Sequence, residues 1–255
     1  MKRAGILRPW AVLVWLLVWQ IGAMALDQQI LLVSPIQVLA RLGELALQGS
    51  FWKAVGFSML RITGGFLLGA IVGTVLAAFS ARLRLVEELL APLLLAIKSI
   101  PVASFIILSL ILFSSRNLSI LISFLMVLPV LYSGVLGGIR AMDSQMLEMA
   151  QLFRIPTLRR IRYVYLPQVL PYFQAACASA LGLCWKSGIA AEVIGMPAGS
   201  IGERLQQAKV YLDTPDLFGW TLVIVLVSLL FERFFLVVLR QAAVSYTHLD
   251  VYKRQ

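Results

Sequence analysis

The chain has 255 residues, 60% of them hydrophobic and 13% charged, and a formal net charge of +10. Soluble domains carry roughly 45–50% apolar and about 25% charged residues, so an ordinary soluble fold is excluded. Several apolar runs are long enough for the roughly 20 residues that a helix needs to cross a bilayer, and the charge sits in short loops, which fits membrane orientation better than a nucleic-acid partner.

In chain order, the first apolar run is Pro9 to Leu26, behind Lys2, Arg3 and Arg8. Its tryptophans (Trp10, Trp15, Trp19) and the absence of a small-x-small cleavage site favour a retained first helix over a signal peptide. Residues 27–56 are more polar and read as a short amphipathic segment at the outer surface. The second span runs from about Phe57 to Phe79, where Gly64, Gly65, Gly69 and Gly73 give the small-residue spacing that lets helices approach closely. The third segment, Val86 to Phe113, is too long for one straight span. Pro92 and Lys98-Ser-Ile-Pro101 interrupt it, so a broken helix is expected, because proline removes a backbone bond and clashes with the preceding turn. Span four covers about Leu118 to Ile139, span five Gln168 to Ala191 and span six Leu217 to Leu239.

Six spans place both termini on one side. With the N-terminus inside, the inner segments hold Lys2, Arg3, Arg8, Arg82, Arg84, Arg140, Arg154, Arg159, Arg160, Arg162 and Arg240. The outer segments hold only Arg41, Lys53, Arg61, Arg116, Arg204 and Lys209. The excess of positive charge inside predicts a cytoplasmic N-terminus.

Between spans four and five lies EMAQLFRIPTLRRIRYVYLP, residues 148–167, a basic segment in an otherwise oily chain. The pattern over 143–167 predicts two short helices. Asp143 is placed as the N-cap of the first, and Met146, Leu147, Ala150 and Phe153 supply apolar neighbours at helical spacing. Ile155-Pro156 breaks that helix, and Pro156 suits the first turn of the second. There Leu158, Ile161 and Tyr165 form one face and Arg159, Arg160 and Arg162 another, until Leu166-Pro167 ends it and span five starts. By periodicity alone, an amphipathic helix on anionic lipid is an equal reading.

The segment resembles the cytoplasmic coupling loop of ABC-importer permeases, with the pattern Glu-Ala-Ala, three residues, Gly, nine residues, Ile-x-Leu-Pro. Glu148, Met149 and Ala150 fall on the triplet, Arg154 on the glycine, Val164 on the isoleucine, and Leu166 and Pro167 close the motif. Arginine adopts the backbone angles that glycine permits only at a cost. The resemblance extends from roughly Ile30 to Arg240. SPIQVLARL, SMLRITGGFLLGAIVGTVLA and LAPLLLAIKSIPVASFIILSLILF look like the nitrate/sulfonate/taurine branch of these permeases.

The resemblance implies a type I importer core of about six spans. Residues 1–50 would form an N-terminal helix and outer segment, and 51–241 the transport domain with its coupling loop at 143–167. It implies two permease copies as a homodimer, two ATPase subunits docked on the coupling helices, and an extracytoplasmic solute-binding protein, all at a bacterial inner membrane. Glu148 and Ala150 would seat the coupling helix in the ATPase. The arginines would pair with ATPase acids or with lipid phosphates. The tail at 245–255, SYTHLDVYKRQ, resembles a read-through sequence found at the ends of unrelated proteins and is set aside as non-native.

Ionisable groups at membrane depth are costly and are functional candidates by default. Lys98, Lys186 and Glu192 qualify, and a cation facing a cavity suits a sulfonate-like or nitrate-like anion. An internal Lys–Glu pair, or side chains reaching the interface, is the structural alternative. No catalytic residue, metal site or cofactor is expected. GLCWKS at 182–187 lacks the glycines of a phosphate loop, Cys177 and Cys184 read as buried small side chains, and the lone histidine, His248, is in the tail. Two other readings stay open at this point. A membrane-embedded enzyme of lipid metabolism would need clustered acids or histidines beyond Glu87-Glu88, and a secondary transporter without an ATPase would need internal repeats.

Overall fold

A computed structural model describes residues 9–26, 28 and 31–252. Lys2, Arg3 and Arg8, which enter the charge count above, lie outside the described residues, as do Ile30 and the last three residues of the tail. The described residues form helices joined by short turns. These are α1 (Pro9–Leu26), α2 (Pro35–Ala46), α3 (Gly49–Arg82), α4 (Arg84–Ser99), α5 (Val102–Leu112), α6 (Ser115–Arg140), α7 (Ser144–Leu152) and α8 (Thr157–Arg160). A π-turn (Ile161–Tyr165) follows, then α9 (Leu166–Gly195), α10 (Ile201–Val210) and α11 (Thr214–Tyr252).

Among the described residues, four helical stretches are long and apolar enough to cross a membrane: Gly49–Arg82, Ser115–Arg140, Thr157–Gly195 and Thr214–Leu239. The pair α4 and α5, bent by 107°, supplies a fifth. The bend falls at the expected proline. Pro101 has no N–H to donate, and a residue before proline is pushed out of the helical region, as Ile100 is with ψ 132°. Pro92 stays inside α4 without ending it. The 18 residues of α1 rise about 27 Å, just short of the hydrocarbon core.

The segment after α1 folds because Ser34 and Gln37 close a capping box: Gln37 N–H donates to Ser34 Oγ and Ser34 N–H to Gln37 Oε1, both at 3.3 Å. Pro35 suits the first helical position. Arg41 on α2 then pairs with Asp216 at the start of α11 and with Glu44. The Asp216 hydrogen bond, then that of Glu44, pushes the Arg41 guanidinium above its ordinary range. Trp19 Nε1 donates to Val33 O at 3.0 Å, tying α1 to the same corner.

The centre is a stack of α3, α6 and α9. Gly65 lets α3 meet α6 backbone to backbone, since a Cβ there would stand 2.5 Å from Ile120 O and 2.6 Å from Ser123 Cβ. One apolar cluster joins α3, α9 and α11 through Phe66, Leu181, Trp185 and Phe231. A second joins α4, α5 and α6 through Ile97, Ile106, Leu118 and Ile122.

The helix after Pro156 departs from expectation. It does not end at Leu166-Pro167 but runs on into α9 as one rod, Thr157–Gly195. A π-turn, closed by Leu166 N–H donating to Ile161 O, sits just before Pro167. That wider turn absorbs the donor proline lacks, as such bulges do, so the proline does not break the helix.

Candidate functional site

The segment between α6 and α9 is ordered by its own side chains. Asp143 caps α7, its Oδ1 accepting from Gln145 N–H at 2.9 Å. Gln168, in the first turn of α9, fastens the same corner: its Oε1 accepts from Asp143 N–H at 2.9 Å, and its Nε2 donates to Val164 O at 3.2 Å. Ala150 is fully buried and Val164 nearly so, and the two anchor α7 and the π-turn. Of the apolar neighbours expected under α7, only Ala150 is buried. Phe153 is 71% exposed and Met146 46%, while Leu147 is half-buried.

α7 ends in a Schellman turn. Arg154 N–H donates to Gln151 O at 2.9 Å and Ile155 N–H to Ala150 O at 3.0 Å. The residue after the cap in this motif takes a left-handed conformation and is usually glycine. Here it is Arg154, with φ 47°. Glycine-like backbone thus survives at this position without the glycine. Arg160 reinforces the turn by donating from Nη2 to Ile155 O at 3.4 Å. Arg159 and Arg162 are exposed, as are Leu166 and Pro167. Glu148, Met149, Leu152 and Phe153 are left on the open side, with Leu152 81% exposed. Nothing in the sequence pattern points to Leu152. Helical spacing alone assigned Phe153 to the packed face.

The three ionisable groups expected at membrane depth have different surroundings. Lys98 ends α4 at the bend and donates to Ser133 Oγ at 2.9 Å, and Ser133 donates on to Pro129 O at 2.6 Å. Lys186 lies two-thirds of the way along α9, exposed, beside Gly182, at which a Cβ would meet nothing within 4 Å. Glu192 is fully buried. Its Oε2 accepts from Ser58 Oγ at 2.6 Å and from Gly202 N–H at 3.3 Å. Ser119 Oγ, fully buried on α6, faces the same carboxyl without closing a well-aligned hydrogen bond. Gly202 lies against Glu192 with no room for a Cβ between them. Lys186 and Glu192 do not form the internal pair weighed above, since no ion pair joins them. The serines around Glu192 carried no signal in the sequence, because nothing in their spacing relates 58 or 119 to 192.

Basic side chains gather at the end of the bundle that carries α7. A cleft of about 580 Å³ there is lined by Ser80, Arg82, Arg84, Glu87, Glu88 and Arg140. Arg140 pairs with Glu87 and Arg84 with Glu88. Among the described residues no group of three or more His, Cys, Asp or Glu is placed to hold a metal ion. Cys177 and Cys184 are free and buried.

The family model described as binding-protein-dependent transport system inner membrane component matches residues 65–244. Over 236 residues the chain is 28% identical to a Bacillus subtilis permease protein named for aliphatic sulfonate transport, covering 90% of this chain and 83% of that protein. It is 26% identical over 249 residues to the bicarbonate transport system permease protein CmpB of Synechococcus elongatus, covering 91% and 88%. To the riboflavin transport system permease protein RibX of Chloroflexus aurantiacus it is 27% identical over 224 residues, covering 87% and 83%.

Proposed function

This chain belongs to the family of binding-protein-dependent transport system inner membrane components, and we propose that it moves a small anion through a pathway closed and opened by an ATPase docked at residues 148–167. It is an all-α transport subunit and not an enzyme, with an ATPase and a solute-binding protein as partners. The observation that carries the docking assignment is the ordered surface of α7. Ala150 and Val164 hold it down, the turn at Arg154 fixes its direction, and Glu148, Met149, Leu152 and Phe153 are presented outward. A short rigid helix with exposed apolar and acidic groups can transmit a rigid-body movement of a partner to the spans.

In this reading two copies of the permease form the pathway as a homodimer, and each engages one ATPase. The end bearing α7, Arg82, Arg84 and Arg140 faces the cytoplasm by the positive-inside rule, which puts the N-terminus there too. Of the three membrane-depth ions, Lys186 is assigned to the pathway wall. An exposed ammonium inside a span is unfavourable against lipid and favourable against water and anionic cargo. Lys98 stands beside the bend, held by Ser133. Glu192 is assigned to holding α10 in place rather than to contact with cargo. A sulfonate, taurine or bicarbonate-like anion suits the Lys186 ammonium, and the names of two of the relatives point the same way.

The test is uptake into vesicles holding this chain with its ATPase and binding protein. ATP-dependent uptake of an alkanesulfonate, taurine or bicarbonate is expected. Uptake that persists without ATP and collapses with the ion gradient would contradict the assignment.

A further inference from the structure

At the end of the bundle opposite α7, two guanidinium groups crown an apolar groove. Arg61 lies on α3, its Cζ 4.4 Å from the centroid of the Phe57 ring, and Nη1 donates to Asn117 Oδ1 on α6 at 3.2 Å. Arg116, next to Asn117, is close enough for the two like charges to act on each other. No carboxylate among the described residues forms an ion pair with either arginine, although the buried Glu192 lies near enough to Arg61 to act on it. Below them runs a groove of about 570 Å³, lined by Leu68, Val72, Phe113, Ile120, Leu121 and Phe124, with Asn117 at its polar end. Helical spacing puts Arg61, Gly64, Leu68 and Val72 on one face of α3, and a Cβ at Gly64 would meet nothing within 4 Å. Gly64 therefore leaves open space on the face of α3 between Arg61 and the groove.

Its dimensions select the occupant. Arg61 and Arg82 bracket a rise of about 32 Å along α3, close to the roughly 30 Å hydrocarbon core, so Arg61 stands at headgroup level. From Asn117 to Phe124, the stretch of α6 that lines the groove, the rise is about 10 Å, or a third of that core. A groove that enters the leaflet from headgroup level, apolar along its length and cationic at its mouth, matches the upper part of an acyl chain below a phosphate. A small hydrophilic anion would leave the apolar part empty. The geometry points to a binding site for one anionic phospholipid of the leaflet opposite α7, its phosphate between Arg61 and Arg116 and an acyl chain along Leu68, Val72 and Leu121. This site rests on the placement of the spans in a bilayer and is independent of the cargo.

The test is native mass spectrometry of the full chain released from mild detergent after exposure to equal amounts of dioleoylphosphatidylglycerol and dioleoylphosphatidylcholine. One retained phosphatidylglycerol per chain is expected, preferred on the order of tenfold for the paired arginines. The preference falls to parity in the Arg61→Gln/Arg116→Gln double variant. Leu121→Trp, which fills the groove, loses the lipid with both arginines present. Arg204→Gln, a charge removed elsewhere at the same end, keeps it. Equal retention of the two lipids by the wild type would overturn the site, as would loss of preference in Arg204→Gln. Displacement of the lipid by excess inorganic phosphate would make it a site for a free anion, and retention of a second copy of the chain in place of lipid would make it an interface; either result overturns the proposal.

Discussion

Ser58 Oγ donates to Glu192 Oε2 at 2.6 Å and accepts from Ile201 N–H at 3.0 Å. One hydroxyl on α3 thus joins the end of α9 to the start of α10. The first turn of α10 meets an acidic group there, the arrangement that a helix N-terminus favours. Ser58→Ala removes both interactions while leaving Glu192 buried. A buried polar group left without a partner costs about 1–3 kcal/mol, so a lower unfolding temperature in detergent is expected. An unchanged unfolding temperature would mean that water or another donor replaces the serine.

Glu192 and Lys186 are expected to separate stability from transport. Glu192→Ala removes the group on which α10 is fastened and should lower thermal stability more than Lys186→Ala. Lys186→Ala should lower uptake instead, because a hydrogen bond to a charged group contributes about 1.5–3 kcal/mol, roughly ten- to a hundredfold in apparent affinity. Thermal unfolding and uptake measured on both variants check this. If Lys186→Ala leaves uptake kinetics unchanged, Lys186 has no part in the pathway.

Arg154 holds a left-handed backbone, φ 47°, in the turn that ends α7. A residue with a Cβ is disfavoured there by about 1–2 kcal/mol, and glycine is not. Arg154→Gly should therefore slow hydrogen exchange at Arg154 and Ile155 N–H without loss of ATPase binding. Faster exchange in the variant would show that the arginine side chain, rather than the backbone hydrogen bonds, holds the turn.

Gly65 and Gly64 are neighbours with opposite expectations. A Cβ at Gly65 runs into Ile120 and Ser123, whereas one at Gly64 meets open space. Gly65→Ala should destabilise by about 1–3 kcal/mol, as overpacked cores do. Gly64→Ala should be neutral or slightly stabilising through helix propensity. Equal effects in a thermal unfolding series would contradict the α3–α6 crossing.

Much of this was legible in the sequence. Hydropathy placed the second to sixth of the six expected spans while α1 falls short of one, the Ile100-Pro101 break appeared where proline predicts it, and Asp143 caps α7 as its side chain suggests. The glycine position of the coupling motif marked a strained residue, because that backbone is written into the turn whichever side chain occupies it. Other features came only from tertiary structure. Pro167 reads as a helix end until a π-turn supplies the slack. Phe153 reads as packed, but it caps the end of α7 and is exposed there. The cradle of Glu192 draws on α3, α6, α9 and α10 at once, and no local pattern links residues so far apart.

Residues 148–167 are proposed to carry the ATPase, and affinity purification of the chain from cells expressing its whole operon reads that contact. Wild type is expected to bring down an ATPase subunit. Glu148→Arg, which reverses the charge on the open side of α7 without touching Ala150 or Val164, is expected to lose it while staying folded by thermal unfolding. Recovery of the ATPase with both chains would move the docking contact away from α7, and recovery with neither would contradict the coupling role outright.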